Sequence, residues 1–213
     1  MYIKIKATMM LMSIVFLLLD ISALGQGKVF VTERKGFFKI VSAVNVQDST
    51  VRMGPSTTYY KGKIIEQGPY RNNERVGRWR FFNLESILDY EYDFDTRKLV
   101  YVSGIDRAML KQQTPCLYKG SPLIPYLFLV NQLAYPQRAI SEAVEGRVVL
   151  ALKVSRHGRV TGFYLAERLH PLIDKAVVEV AKIMPPDWQF IAATQRGQAV
   201  EGEYHITIEF ALD

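Results

Sequence analysis

Along residues 201–213, EGEYHITIEFALD, apolar and polar positions alternate. Tyr204, Ile206, Ile208, Phe210 and Leu212 share one parity; Glu203, His205, Thr207, Glu209 and Ala211 share the other. A period of two sustained over this length predicts a β-strand with one buried and one wet face. As the last element of the sequence, the strand can lie at a sheet edge. Such an edge presents unpaired N–H and C=O groups, which proteins either blunt or use to bind another extended chain.

Upstream, the pattern divides the chain into two regions. From Val29 to about Val102, short β-branched and aromatic runs (FFKIVSAVNV, TVRMG, TTYYKGKIIEQG, GRWRFF, ILDYEYDF, KLVYV) alternate with turn residues. This close spacing predicts antiparallel hairpins in a meander, and no helical period interrupts it. The strand pattern lapses over Gly104–Lys119, which contains Pro115, so residues 105–117 read as a linker. Beyond it, Leu123, Tyr126, Leu127, Val130 and Leu133 recur at helical spacing, with Pro125 in the first turn. Pro136 should stop that helix and start a short one over Gln137–Ala143. Val148, Leu150, Leu152 and Val154 then predict a strand, and a turn at His157-Gly158 leads into a second one over Val160–Ala166. Leu172, Ile173, Ala176, Val177, Val180 and Met184 line one flank of a further helix, with Asp174 and Glu179 outside it. Pro185-Pro186 ends this helix, Trp188 and Phe190 cap the core, and a loop with Gly197 leads into the last strand.

The whole is expected to be α+β. Helices pack on a small antiparallel sheet in residues 118–213, and an all-β antiparallel meander occupies 27–104.

Composition adds limits. The 213 residues are 49% hydrophobic and 23% charged, a globular balance. The net charge is +6, but no Lys/Arg block accompanies it, so no nucleic-acid footprint is expected. MYIKIK, an apolar run Ala7–Leu19 and the small residues of Ala23-Leu24-Gly25 predict a signal peptide over 1–25 with cleavage before Gln26. The alternative is an inner-membrane anchor over residues 7–24, although the run is shorter than the ~20 apolar residues of a spanning helix. Cys116, the single cysteine, reads as a buried small hydrophobe. The three histidines, His157, His170 and His205, have no partner at metal-ligand spacing. Nucleophile-elbow and phosphate-loop motifs are missing, and no catalytic residue, metal site or cofactor is expected. Of the acidic cluster Glu85, Asp89, Glu91, Asp93 and Asp95, the last four fall on one strand face that reads as exposed, with a weak cation site as the alternative.

Two resemblances sharpen the reading. Gly68, Tyr70, a polar turn through Asn73 and Arg75, then Gly77 and Trp79 before an aromatic strand resemble MORN-like β-hairpin repeats. These imply a scaffold or binding surface. More specifically, Tyr135-Pro136, Glu145-Gly146, His157-Gly158, Ile173-Asp174, Met184-Pro185 with Trp188, and the alternation from Tyr204 to Leu212 follow one another as in the TonB family C-terminal domain. The resemblance implies a periplasmic domain of a Gram-negative envelope. Its last strand would pair with an extended segment of an outer-membrane TonB-dependent transporter, driven by an inner-membrane motor complex. It nominates Gln132, Tyr135 and Pro136 as contacts, beside Tyr204, His205, Thr207 and Glu209 on the strand. An edge strand of this kind also admits a homodimer. The chain departs from the family in having 9 prolines and no Pro-rich spacer, and in carrying Gln189-Phe190 after Trp188. The alternative reading is therefore an exported envelope scaffold or interaction protein without energy coupling.

Overall fold

The computed structural model describes residues 2–5, 22–24 and 28–212, with backbone alone for the first two stretches. The apolar run 7–19 and the expected cleavage position before Gln26 lie outside the described residues. The chain forms two compact units that divide between Leu110 and Lys111.

In order, the first strands are β1 (Tyr2–Ile5), β2 (Ser22–Leu24), β3 (Lys28–Lys35), β4 (Phe38–Asn45) and β5 (Arg52–Tyr60). Next come β6 (Lys63–Arg71), β7 (Glu74–Arg75), β8 (Arg78–Phe82), β9 (Leu88–Asp93) and β10 (Lys98–Val102). From β2 to β10 each strand pairs antiparallel with its neighbour in sequence, except that β7 sits beside β6 off the main path. This is the expected meander. Connections of two to six residues suffice because antiparallel strands need no crossover.

One face of this sheet is organised by aromatic rings. Trp79, Phe81, Tyr90 and Tyr92 are buried. Phe81 stacks on Tyr90 at 4.7 Å, and Tyr70 meets Trp79 edge-on at 5.0 Å. The Arg75 guanidinium lies 4.2 Å from the Trp79 ring centre and 2.8 Å from the buried Glu66 carboxylate. Trp79 Nε1–H donates to the Pro69 carbonyl at 3.0 Å. Gly68 makes this arrangement fit, because a Cβ there would stand 2.4 Å from the Trp79 ring. The acidic residues do not form the exposed face read from the sequence. Glu91 is buried, with Arg78 at 3.5 Å and Arg80 at 3.3 Å. Asp93 accepts the Asp95 and Thr96 amides in a turn. Cross-strand arginines on β8 supply the counter-charge that a single-strand reading cannot show.

The C-terminal unit begins inside the segment read as a linker, which holds α1 (Arg107–Gln112) and β11 (Gln113–Thr114). Then follow β12 (Leu117–Tyr118), α2 (Leu123–Gln132), α3 (Gln137–Ser141), β13 (Gly146–Val154), β14 (Val160–Glu167) and α4 (Pro171–Lys182). β15 (Phe190–Ile191), β16 (Ala193–Gln195), β17 (Gln198–Val200) and β18 (Gly202–Phe210) complete it. The loop expected around Gly197 is thus a small hairpin, and β11 pairs with its first strand.

The main sheet of this unit runs β1-β18-β13-β14. Val148, Leu150, Leu152 and Val154 of β13 and Ile206, Ile208 and Phe210 of β18 share one core with Leu129 of α2, Leu133 just after it, and Ile173, Val177 and Val180 of α4. Tyr118 and Phe128 meet Trp188 edge-on, so the segment after α4 seals one end of the core. Cys116 is buried as expected, and burial pushes its thiol up to about 12.

Asp174, expected on α4 but off its apolar flank, is not left in water. It is buried at the first turn of α4, where Oδ2 accepts Arg168 Nε–H at 2.9 Å and Oδ1 accepts the Leu169 amide at 3.0 Å. A carboxylate there also meets the positive end of the helix dipole.

Two outcomes follow. Gly68→Ala should drive a methyl into the Trp79 ring and destabilise the β-module by ~1–3 kcal/mol, read as a lower denaturant midpoint on Trp79 fluorescence. Asp174→Ala should destabilise the C-terminal unit by ~1–3 kcal/mol by removing two accepted hydrogen bonds, read as a lower melting temperature.

Candidate docking edge

The last strand behaves as its alternation demands. Ile206, Ile208 and Phe210 are buried, while Glu203 and His205 are exposed. On its inner side β18 makes nine register pairs with β13, from Gly146↔Phe210 to Val154↔Gly202. On its outer side it carries β1 in parallel, pairing Tyr2↔Thr207, Ile3↔Ile208, Lys4↔Glu209 and Ile5↔Phe210. The expected open edge is therefore half occupied by the chain's own N-terminal residues. That ladder ends at Thr207, so Glu203–Ile206 lie beyond it.

The nominated residues take different positions around this edge. Tyr135 is buried, 5.2 Å from Phe210 and edge-on to it, and its hydroxyl donates to the Val144 carbonyl. Its phenol is a support for β18 from beneath, not a surface contact. Pro136 is half buried and immediately precedes α3 in extended backbone, with φ −62° and ψ 128°. Gln132 is exposed at the last position of α2. Tyr204 is half buried against Phe190, with ring centres 5.3 Å apart.

His205, Thr207 and Glu209 lie on the sheet face away from the helices, next to groups the sequence reading passed over. Glu203 accepts the Tyr164 hydroxyl at 2.9 Å and sits 3.0 Å from His205 Nε2. The His205 and Tyr164 hydrogen bonds hold the Glu203 carboxyl below its usual range, and the same carboxylate raises the Tyr164 phenol. Lys153 lies over the Tyr164 ring at 5.4 Å, and Arg147 pairs with Glu167 at 2.7 Å. Tyr164, Glu203 and Lys153 were detectable only by register, since Lys153↔Glu203 and Ala151↔His205 become neighbours through the β13–β18 ladder. The face is a lattice of paired polar side chains. Among the described residues no cluster of His, Cys, Asp and Glu could hold a metal ion.

At the far end of the sheet, the β13–β14 turn is fixed to the segment after α4. The Phe190 amide donates to the Gly158 carbonyl at 2.9 Å. Gly158 has φ +75°, and a Cβ there would stand 2.1 Å from the Phe190 carbonyl oxygen. Only glycine satisfies both demands.

A family match falls within this unit. Residues 131–212 match the family described as the Gram-negative bacterial TonB protein C-terminal. The chain is 29% identical over 85 residues to "Protein TonB" of Xanthomonas campestris pv. campestris strain B100, and equally to that of strain ATCC 33913. Those 85 residues are 39% of this chain and 36% of each relative, so the similarity spans little more than a third of the curated proteins it matches. No solved structure matches the chain. The unit that carries the edge strand is TonB-like in sequence.

Proposed function

We propose that the protein acts in the periplasm of a Gram-negative envelope and docks an extended segment of an outer-membrane TonB-dependent transporter along the outer edge of β18. The observation that carries this reading is the parallel strand already lying there, contributed by residues distant in sequence. An edge that takes up one four-residue strand has the backbone geometry to take up another, with the ladder supplying generic affinity. The TonB-like sequence of residues 131–212 supplies the class of partner. His205, Thr207 and Glu209 on the open face, with Tyr204 at the core margin, would choose among incoming side chains. Gln132 would meet the segment beyond the strand, and Tyr135 and Pro136 would act by holding β18 and the α2–α3 link in place.

Under this reading residues 1–25 are a signal peptide, and cleavage before Gln26 removes β1 and opens the whole ledge. Until then the tethered strand competes at the high effective concentration of an intramolecular group. Pairing to a second copy of β18 would use the same edge. Coupling to an inner-membrane motor is the further step, and it requires an attachment across the periplasm in place of a Pro-rich spacer.

A second reading rests on the same pairing. If β1 stays in place, the ledge is closed over Thr207–Phe210, and the protein is an envelope scaffold whose modules bind partners elsewhere.

Protein beginning at Gln26 should show shifts of the 203–212 amide resonances on addition of peptides from transporter N-termini. The full chain should respond more weakly, because β1 must first leave. Failure of the shorter protein to respond at millimolar peptide removes the docking reading. Mass determination of the mature N-terminus in the envelope separates the open state from the closed one.

A further inference from the structure

The cations that are scattered in sequence are gathered by hairpin pairing at one end of the β-module. The turns β3–β4 and β5–β6 lie side by side there, joined by the Lys61 amide donating to the Phe37 carbonyl at 3.0 Å. Register aligns Lys35, Phe38, Tyr60 and Lys63 in one row across four strands, and Arg34, Lys39, Tyr59 and Ile64 in the next. Residues 34–39 and 59–63 thus carry Arg34, Lys35, Lys39, Lys61 and Lys63 and no carboxylate. Of the nearby acids, Glu33 lies 3.7 Å from Arg52 and Glu66 is buried against Arg75. Glu85 belongs to the adjoining 83–87 loop, to which Lys63 is tied through the Leu84 carbonyl at 2.7 Å.

At the apex stands Phe37, which is 68% exposed. Lys61 lies 4.9 Å from its ring centre, and Tyr60 meets it edge-on at 6.1 Å. Ile87, also exposed at 54%, lies in the same adjoining loop. Nothing in folding the sheet requires a phenylalanine at a turn apex pointing into water. A soluble polyanion would explain the cations but not the ring. A bilayer with anionic headgroups explains both, because the cations gain from the surface potential while the aromatic tip enters the interfacial layer.

We propose that this end of the β-module is a peripheral docking site for an anionic phospholipid surface, with Arg34, Lys35, Lys39, Lys61 and Lys63 facing the headgroups and Phe37 inserted between them. The site lies in a different unit from the β18 ledge and stands independently of what docks there.

The test uses the full chain and phosphatidylglycerol–phosphatidylcholine vesicles against pure phosphatidylcholine, read by co-sedimentation. The apolar run 7–19 is present in every variant, so the ratio between variants reads the hairpin ends alone. The parent should favour the anionic vesicles. The double variant Lys35→Gln/Lys61→Asn should bind them about 25-fold more weakly, about fivefold per lost charge. Asparagine suits the positive φ of Lys61 (48°), so the turn is retained. Phe37→Ser should weaken vesicle binding about tenfold yet leave retention on heparin, a soluble polyanion, unchanged. An unaltered circular dichroism melt for each variant sets aside misfolding. Equal vesicle binding by parent and double variant would falsify the site. Loss of both vesicle and heparin binding by the double variant, with Phe37→Ser indistinguishable from the parent on vesicles, overturns the lipid assignment in favour of a polysaccharide.

Discussion

The C-terminal unit depends on the antiparallel ladder between β13 and β18. That ladder brings Val148, Leu150 and Leu152 against Ile206, Ile208 and Phe210, and so creates the apolar sheet face on which α2 and α4 pack. Register decides everything that follows. A slip of one residue would turn Ile208 toward water and Thr207 toward the helices. The ladder is pinned at both ends. Tyr135 packs edge-on against Phe210 at one, and the turn at Gly158 is bonded to Phe190 at the other, where Tyr204 also packs. The outer edge of β18 is straight and presentable because its inner edge is held this firmly.

The β-module solves a different problem. Its described meander buries rings against its own backbone, with Gly68 giving Trp79 room to lie flat. Arg75 and Glu66 complete that core as a paired charge among aromatic faces. A desolvated pair of this kind fixes which residues meet more than it adds to stability.

Much of this was legible in the sequence where one period dominates. The alternation in EGEYHITIEFALD found the buried Ile206, Ile208 and Phe210, with Tyr204 and Leu212 half buried, and the helical spacing of Leu123 and Leu127 marked α2. Leu129, fully buried, escaped because it falls between the chosen spacings and is covered only once β13 and β18 are in place. Asp174 and Glu91 were misplaced for one shared reason. Each is a carboxylate whose burial depends on donors from another segment, Arg168 and the Leu169 amide in one case and Arg78 with Arg80 in the other. The occupied ledge was equally out of reach, since parallel pairing of β1 with β18 leaves no local signature in either strand. The basic tip was hidden in the same way, by charges distributed over two hairpins.

Pairing of residue 2 with residue 207 also orders the events of synthesis. Every contact between neighbouring strands of the β-module is local, and such topologies close quickly as the chain emerges. The ladder β1–β18 closes a loop of more than two hundred residues and can form only after the last strand exists. Residues 2–5 thus find their place only after Thr207–Phe210 have been made, however early they themselves emerge.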